Sequence, residues 1–260
     1  MSTWALDLDG VIWTGTQPIP GADQAIADLR AAGHTVVFVT NNSFATIGEQ
    51  EAKLASFGVD ATDSVINSAQ AGASLVEPGE RVYVLGGPGV VEALEIRGAE
   101  VVNSPGRSLD GAEHPPEEID AVLVGLDWDL SYDRLRQASQ AVMAGARLIA
   151  TNADPTYPTE RGLFPGGGSL VAAVAVASGV DAVVAGKPHQ AQADLVRQRF
   201  GADGVMVGDR PDTDGLFAAE LGYRFGLVFS GVTRPEDLPV HPTPDLTGAD
   251  LASIVASELG

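Results

Sequence analysis

The sequence predicts an α/β fold built on a parallel sheet with helices on both faces. Short runs rich in β-branched and aromatic residues alternate along the chain with helix-like segments, and this alternation is typical of parallel sheets. Hydrophobic residues make up 45% of the 260 residues and charged residues 19%, which is ample for a buried core. A chain of this length can form one large α/β domain or two smaller ones.

The first part of the chain contains three predicted strands, which are Trp4–Asp7, His34–Val39 and Val65–Asn67. A Gly/Pro-rich stretch follows the first strand, and two helices are expected, one ending near Ala32 and one over Thr46–Phe57. Each helix is followed by a glycine, the residue that commonly ends a helix in the left-handed conformation.

A second series of strands and helices begins near Glu80. Its predicted strands are Val82–Leu85, Ala121–Val124 and Arg147–Ala150, and its predicted helices are Val90–Arg97, Tyr132–Ala144 and Leu170–Ser178. The segment Asn103–Glu118 is polar and rich in proline and glycine, so we expect a loop there. The run Gly166-Gly167-Gly168 before the last helix suits either an anion-binding helix start or a flexible connector.

The third part returns to strongly alternating units. Its predicted strands are Ala182–Ala185, Val205–Val207 and Phe225–Phe229, and its predicted helices end near Phe200, end at Leu221 and span Asp250–Glu258. The stretch Val232–Thr247 is rich in proline and threonine, which indicates a loop.

Composition excludes several classes of function. The formal net charge of −20 repels nucleic acid and also repels small phosphorylated molecules, so a site for the latter needs a metal ion and a few well-placed cations. The chain has no cysteine, no signal-like N-terminus and no apolar stretch near membrane-spanning length. We therefore expect a soluble cytoplasmic protein without nucleic-acid or membrane partners. Its only lysines are Lys53 and Lys187.

Reactive side chains follow four of the predicted strands. In an open parallel sheet, ligands bind at the carboxyl ends of the strands, and we expect these side chains to meet there. They are Asp7 with Asp9, Thr40 with Asn41, Lys187, and Asp209 with Asp214. Each has an ordinary explanation when taken alone: a polar turn for the first pair, a helix cap for Thr40-Asn41-Asn42, an exposed lysine, and helix-start acids for the last pair.

Taken together, the four segments predict phosphoryl transfer. Asp7 and Asp209 supply the hard oxygen ligands that Mg²⁺ prefers. A carboxylate nucleophile can form an aspartyl-phosphate, so Asp7 is predicted to attack and Asp9 to protonate the leaving alcohol and then activate water. Thr40 and Asn41 would donate hydrogen bonds to the phosphoryl oxygens, and Lys187 would add positive charge.

The sequence resembles the haloacid dehalogenase superfamily of phosphotransferases over nearly its entire length. It is most similar to the subfamily of NagD-like nucleotide phosphatases, p-nitrophenylphosphatases, and glycerol-3-phosphate or pyridoxal-phosphate phosphatases. Four motifs in order carry the resemblance: Leu6-Asp7-Leu8-Asp9-Gly10-Val11, Phe38-Val39-Thr40-Asn41-Asn42, Gly186-Lys187-Pro188, and Val207-Gly208-Asp209-Arg210-Pro211-Asp212-Thr213-Asp214.

The resemblance implies a discontinuous Rossmann-like core, residues 1–73 and 180–260, interrupted by an α/β cap of the C2 type, residues 74–179, that governs substrate specificity. It also implies roles for the motif residues. Asp7 is the nucleophile and a metal ligand, Asp9 is the acid/base and binds the metal through its main-chain carbonyl, and Asp209 is a metal ligand. Asp214 supports the site, and Thr40, Asn41, Asn42 and Lys187 bind the substrate phosphate. A homodimer formed through the cap is compatible with the family.

The predicted activity is that of a magnesium-dependent phosphoric monoester hydrolase, with a sugar or glycerol phosphate as the favoured substrate. Nucleoside monophosphates (such as UMP) and pyridoxal phosphate remain open. Outside this class, a metal-dependent D-x-D glycosyltransferase leaves Lys187 and the second acid pair unexplained. An inactive phosphate-binding module is the other alternative, although every motif position carries a reactive residue type.

Overall fold

The protein's fold is given by a computed structural model, in which residues 2–103, 118–159 and 161–260 are described. The strands are β1 (Thr3–Leu6), β2 (Trp13–Thr14), β3 (Gln17–Pro18), β4 (Thr35–Thr40), β5 (Val65–Asn67), β6 (Arg81–Leu85), β7 (Glu100–Val101), β8 (Ala121–Val124), β9 (Arg147–Ala150), β10 (Thr156–Thr159), β11 (Gly162–Pro165), β12 (Val183–Val184), β13 (Gly204–Gly208), β14 (Arg224–Val228) and β15 (Leu246–Gly248). The helices are α1 (Ala22–Ala31), α2 (Ile47–Ser56), α3 (Ser68–Ser74), α4 (Pro88–Arg97), α5 (Tyr132–Met143), α6 (Gly167–Ser178), α7 (Gln190–Phe200), α8 (Leu216–Leu221) and α9 (Leu251–Leu259).

The chain divides into two compact units. The first unit comprises Met1–Thr40, Gly48–Ile66 and Lys187–Gly260, and the second comprises Asn41–Ile47 and Asn67–Gly186. These limits differ from the expected boundaries after residues 73 and 179. The differences arise because Ala69 and Ala73 of α3 pack in the core of the second unit, and because β12 pairs with β9 of that unit.

The first unit is built on a six-stranded sheet in the order β15-β14-β13-β1-β4-β5. Strand β1 lies between β13 and β4 and is parallel to both, with Leu6 opposite Val207 on one side and Phe38 on the other. All four residues of β1 are buried, as the predicted apolar run requires for a strand covered on both faces. β1 is therefore a central strand, and its carboxyl end lies between the carboxyl ends of two parallel neighbours.

The second unit has its own five-stranded sheet, in the order β12-β9-β8-β6-β7, and its strand pairs are parallel. Two apolar clusters cover its strands: one includes Tyr83 and Val122, and the other includes Val82 and Leu123. Adjacent residues of one strand thus contribute to different clusters, because successive side chains point to opposite faces of a strand.

The strand before Lys187 was expected to belong to the same sheet as β1 and β4, and that expectation was wrong. This strand, β12, has only two residues and pairs with β9 in the second sheet. Its apolar composition predicts a strand but carries no information on which neighbour it pairs with. Lys187 nevertheless belongs to the first unit.

Elements that the sequence pattern did not predict are short or lack a distinctive pattern. They are the hairpins β2–β3 and β10–β11, the strands β7 and β15, and helix α3. β15 pairs with β14, and its first two residues lie in the stretch that was expected to be a loop. Most of the predicted loop at 103–118 lies outside the described residues. Among the described residues, no helix combines the length and hydrophobicity needed to cross a membrane.

Candidate active site

The first carboxylate of the site is placed by β1. Asp7 follows the last residue of β1, and its main-chain N–H donates to the carbonyl oxygen of Val207 in β13 at 2.9 Å. The parallel pairing with β13 therefore continues to Asp7 itself. Its side chain is 12% exposed, so the carboxylate is largely removed from water but remains reachable.

A single ammonium group links two of the predicted acids. Lys187 Nζ lies 2.7 Å from Asp7 Oδ1 and 2.7 Å from Asp214 Oδ1. The side chain of Lys187 is 3% exposed and that of Asp214 is 1% exposed. A buried charge is tolerated only when it is paired and hydrogen-bonded. The three residues therefore depend on one another.

Asp214 is held from both ends of its carboxylate. Oδ1 accepts from Lys187, and Oδ2 accepts from the main-chain N–H of Arg210 at 3.1 Å. A short π-helical turn over Pro211–Gly215 aims the side chain back towards β13. Gly208 makes room for it, because a Cβ at that position would lie 2.2 Å from Asp214. The supporting role of Asp214 stays a prediction.

Asp209 follows β13 and is enclosed by two glycines. A Cβ on Gly10 would lie 2.5 Å from Asp209 Oδ2, and one on Gly231 would lie 1.9 Å from the same atom. That oxygen accepts the main-chain N–H of Val232 at 2.6 Å. Glycine at positions 10 and 231 thus allows the backbone to close around the carboxylate and fix its direction.

Burial dominates the electrostatics of the cluster. It raises the pKa of Asp7 well above the ordinary value for a carboxyl group, and the nearby Lys187 opposes this only in part. Burial and then the Asp214 carboxylate raise the pKa of Asp209 to about 7. Burial lowers the pKa of Lys187, but Asp214 and Asp7 outweigh it, so the net shift is upward and the ammonium group stays charged.

The carboxylates fit a divalent cation with oxygen ligands. One oxygen from each of Asp7, Asp209 and Asp214 lies within 4.8 Å of the others. Three carboxylates and one ammonium leave a formal charge of −2 in a buried site, and crowded acids are costly unless a cation shares them. Hard oxygen donors of this kind suit Mg²⁺. Because Asp214 is bonded to Lys187 and Arg210, Asp7 and Asp209 are the side chains that would hold the ion.

Asp9 lies outside this cluster. Its residue is exposed, and Oδ1 accepts a hydrogen bond from the indole Nε1 of Trp13 at 2.8 Å. Protein atoms around the carboxyl group still restrict its hydration and raise its pKa, against the lowering effect of the Trp13 hydrogen bond. The side chain of Asp9 is not among the three that could share a metal ion, so the metal contact predicted for this residue would involve its main-chain carbonyl alone.

The second predicted motif is divided between the two units. Thr40 is buried at the end of β4 in the first unit. Asn41 and Asn42 belong to the second unit, where Asn41 Nδ2 donates to Asp154 Oδ2 at 3.1 Å and Asn42 Oδ1 accepts the N–H of Phe44 at 3.0 Å. The phosphate-binding roles of Asn41 and Asn42 stay predictions.

Gln192 is a site residue that the sequence did not reveal. This fully buried amide accepts the main-chain N–H of Lys187 at 2.8 Å and donates to the carbonyl oxygens of Thr40 at 3.1 Å and Ile66 at 3.4 Å. It therefore fixes the backbone on which Lys187 is carried. Glutamine in a helix is ordinary, and only its position five residues after Lys187 could have drawn attention to it.

The glycine run 166–168 has a packing explanation. A Cβ on Gly166 would lie 2.4 Å from the carbonyl oxygen of Asp154, and one on Gly168 would lie 2.3 Å from that of Ala153. Gly168 also donates its N–H to the Asp154 carbonyl at 2.9 Å. The start of α6 is thus packed against the segment after β9, which a freely flexible connector would not be.

Two family models match parts of this chain. A model described as haloacid dehalogenase-like hydrolase matches residues 4–100, and one described as HAD-hydrolase-like matches residues 184–254. D-glycerol 3-phosphate phosphatase of Mycobacterium tuberculosis is 38% identical over 96% of this chain and 69% of its own length. The 5'-nucleotidase YutF of Bacillus subtilis is 34% identical over 94% and 95%, respectively.

A solved structure of glycerol phosphate phosphatase from Mycobacterium tuberculosis in complex with magnesium is similar over 97% of this chain and 76% of that one. The TM-score is 0.86 and the sequence identity is 36%. The chain belongs to the haloacid dehalogenase-like hydrolase family, in its NagD-like branch. It is a phosphoric monoester hydrolase that uses Mg²⁺.

Proposed function

We propose that the enzyme hydrolyses small phosphate monoesters in two steps, with Asp7 as the nucleophile and Asp9 as the acid/base. The observation that carries the proposal is the pairing of buried Asp7 with Lys187 next to Asp209, while Asp9 stays exposed and outside that cluster. The attacking carboxylate is thus bonded to an ammonium group that favours its anionic form, whereas the carboxyl group of Asp9 lies apart from that cluster and can exchange a proton.

In the first step, a carboxylate oxygen of Asp7 attacks phosphorus and the bond from phosphorus to the ester oxygen breaks. The electron pair of that bond goes to the leaving oxygen, and the proton of Asp9 goes to the same atom, so that a neutral alcohol departs. Lys187 stays bonded to Asp7 and offsets negative charge on the reacting groups.

In the second step, water attacks the phosphorus of phosphorylated Asp7 and gives its proton to Asp9. The bond between phosphorus and the Asp7 oxygen breaks, which releases inorganic phosphate and restores the Asp7 carboxylate. Asp9 is then protonated again and ready for the next ester. When Mg²⁺ is bound, it supplies positive charge to the phosphoryl oxygens, and Asp7 and Asp209 are the side chains that would hold it, with the main-chain carbonyl of Asp9.

The second unit is proposed as the cap that selects the substrate. A sugar or glycerol phosphate is the first candidate, supported by the similarity to D-glycerol 3-phosphate phosphatase. A nucleoside monophosphate is the second. One observation favours it: the ring of Trp128, a residue that is 67% exposed, stacks on Phe44 with centroids 4.1 Å apart. Such an aromatic surface suits a nucleobase. The cytoplasmic location and the homodimer stay predictions.

The experiment is hydrolysis of p-nitrophenyl phosphate by the wild type and by Asp7→Asn, with Mg²⁺ and after its removal by a chelator. We expect wild-type turnover only with Mg²⁺, and a loss of kcat by at least about a thousandfold in the variant, because the nucleophile is gone. Asp212→Asn, in the same region as Asp209 but exposed, is the matched control and keeps its activity. Metal-dependent turnover by Asp7→Asn at the wild-type rate would refute the proposed nucleophile.

A further inference from the structure

The side chain of Asp9 accepts a hydrogen bond from a group that can act only as a donor. The indole Nε1 of Trp13 donates to Asp9 Oδ1 at 2.8 Å, and an indole N–H is a donor only. Oδ1 is therefore committed as an acceptor in both protonation states of the carboxyl group. The proton that Asp9 gives and takes is then carried by Oδ2.

The local backbone brings Trp13 to this position. Gly10 adopts a left-handed conformation with φ of 82°, which lets the chain reverse directly after Asp9. The N–H of Gly10 donates to the Trp13 carbonyl at 2.7 Å, and the N–H of Trp13 donates to the Leu8 carbonyl at 3.2 Å. Trp13 also starts β2, which pairs with β3. Its main chain is therefore fixed on both sides.

The other lysine of the chain holds the indole from its face. Lys53 Nζ lies 3.8 Å from the centroid of a Trp13 ring and 3.4 Å from the Gly15 carbonyl oxygen. Phe57, one turn further along, places its ring centroid 5.9 Å from that of Trp13. A cation over an indole face is an attractive contact. Trp13 itself is only 3% exposed, so the ring has little freedom to turn away from Asp9.

We propose that Trp13 is a positioning residue for the acid/base Asp9, and that Lys53 holds its indole in the orientation that keeps Asp9 Oδ2 free for proton transfer. The inference rests on the proposed function, because it assumes that Asp9 protonates the leaving alcohol. It adds a group that touches neither substrate nor metal and acts only through Asp9. The competing explanation is that Trp13 merely fills the core beside Phe57.

The two explanations differ in their dependence on the leaving group. p-Nitrophenolate is a good leaving group and departs from p-nitrophenyl phosphate without being protonated. Phenolate is a poorer leaving group, so its departure from phenyl phosphate depends more strongly on protonation. The two esters are similar in size. The ratio kcat/KM reports the first step, in which the proton is transferred. Misplacing the acid therefore lowers kcat/KM more for phenyl phosphate, whereas a general packing defect lowers it equally for both esters.

The test compares Trp13→Phe, which keeps a ring and removes the N–H, with Trp4→Phe. Trp4 is equally buried in the same unit, and its Nε1 has no hydrogen-bond partner among the described residues. We expect Trp13→Phe to lower kcat/KM for phenyl phosphate roughly tenfold to a hundredfold, the scale on which misplaced catalytic groups act. The decrease in kcat/KM for p-nitrophenyl phosphate should be several times smaller. Trp4→Phe should leave kcat/KM for both esters unchanged.

Asp9→Asn separates the inference from the proposed function. If Asp9→Asn lowers kcat/KM for both esters by the same factor, Asp9 is not the acid that protonates the leaving group. If Asp9→Asn discriminates between the esters and Trp13→Phe does not, the positioning role alone is overturned. Lys53→Met is the second variant should Trp13→Phe not fold. It is expected to lower kcat/KM for phenyl phosphate more than for p-nitrophenyl phosphate, but by less than Trp13→Phe. An unchanged ratio of the two kcat/KM values would overturn the inference.

Discussion

At the scale of single residues, Asp209 carries a charge that its protein surroundings disfavour. Burial and the Asp214 carboxylate raise its pKa to about 7, while its Oδ2 is fixed by the N–H of Val232. The backbone of Gly10 and Gly231 leaves that oxygen no room to move aside. The side chain is thus held in place for a cation in a setting that penalises its ionised form when no cation is bound.

The affinity for Mg²⁺ is expected to rise with pH over the range in which Asp209 loses its proton, up to about pH 7. Below the raised pKa, binding must expel the proton of Asp209, which costs about tenfold in affinity per pH unit. Without metal, the stability of the folded protein has the opposite pH dependence. Because the folded state binds the proton more tightly than the unfolded state, the metal-free protein loses stability as pH rises from about 4 to about 7.

Thermal unfolding with and without Mg²⁺ at about pH 6 and about pH 8 measures both effects. We expect a larger Mg²⁺-induced increase in Tm at the higher pH. The control Asp212→Asn alters an exposed acid in the same region and should keep this pH dependence. An equal increase in Tm at both pH values would contradict the prediction.

The residue types of the site were predictable, but their partners were not. Asp7, Lys187, Asp209 and Asp214 do lie together, as expected from reactive residues after strands. The reasoning was incomplete for Lys187, because its preceding strand pairs in the other sheet and the ammonium group reaches Asp7 through the packing of the first unit. The hydrogen bond from Trp13 to Asp9 depends on a tight turn and a short hairpin, which leave only a faint pattern in a sequence.

At the scale of elements, helix α7 matters through one side chain in its first turn. Gln192 bonds the main chain at Lys187, at the end of β4 and in β5. Loops that carry functional groups need such fixed points, because their own hydrogen bonds are few. A buried amide satisfied on both sides rigidifies its surroundings, whereas a partly satisfied one destabilises them.

Gln192→Leu is expected to lower the free energy of unfolding by about 2–5 kcal/mol, since it removes hydrogen bonds from several buried main-chain groups. The turnover number should fall as well, because the backbone of Lys187 loses its anchor. Urea denaturation gives the stability and p-nitrophenyl phosphate hydrolysis gives kcat. Gln24→Leu, an exposed glutamine on α1, should change stability by less than about 0.5 kcal/mol. Equal effects of the two substitutions would contradict the assigned role.

The elements themselves followed from the sequence where the period is strong. β8 and β9 have the predicted bounds, and α5 and α7 end within a residue of their predicted ends. The hairpins and β15 were missed because their strands are short and lack an apolar run like those of β8 and β9, so that pairing with a neighbouring strand decides their conformation. Helix α3 was missed because Ser68–Ser74 is short and made of small residues.

At the scale of the whole molecule, the chemistry and the proposed choice of substrate belong to different units. The carboxylates and both lysines lie in the first unit, and the Phe44–Trp128 pair lies in the second. The net charge of −20 disfavours anionic esters generally, so the local positive charge of Lys187 and the metal must overcome it. Substitutions in the second unit should therefore alter which ester is preferred without altering metal dependence.

Trp128→Ala is expected to lower kcat/KM for UMP about tenfold, because stacking on an aromatic ring is worth ~1–3 kcal/mol per base. The kcat/KM for glycerol 3-phosphate should stay within about twofold, and the Mg²⁺ requirement should be unchanged. Tyr132→Ala, another strongly exposed aromatic residue of the second unit, is the matched control. If wild-type enzyme does not hydrolyse UMP, or if Trp128→Ala affects both esters alike, the nucleotide candidate is refuted.

The bonds of Gln192 also bear on how such a chain can change over evolutionary time. Its three partners, Thr40, Ile66 and Lys187, are residues at which the chain leaves or re-enters the first unit. Both ends of the longer excursion, residues 67–186, and the start of the shorter one, residues 41–47, are thus bonded to a side chain of the first unit. A segment of different length or topology could be spliced between positions 66 and 187 while those ends stayed fastened. The inserted segment could therefore change while the catalytic residues of the first unit kept their positions.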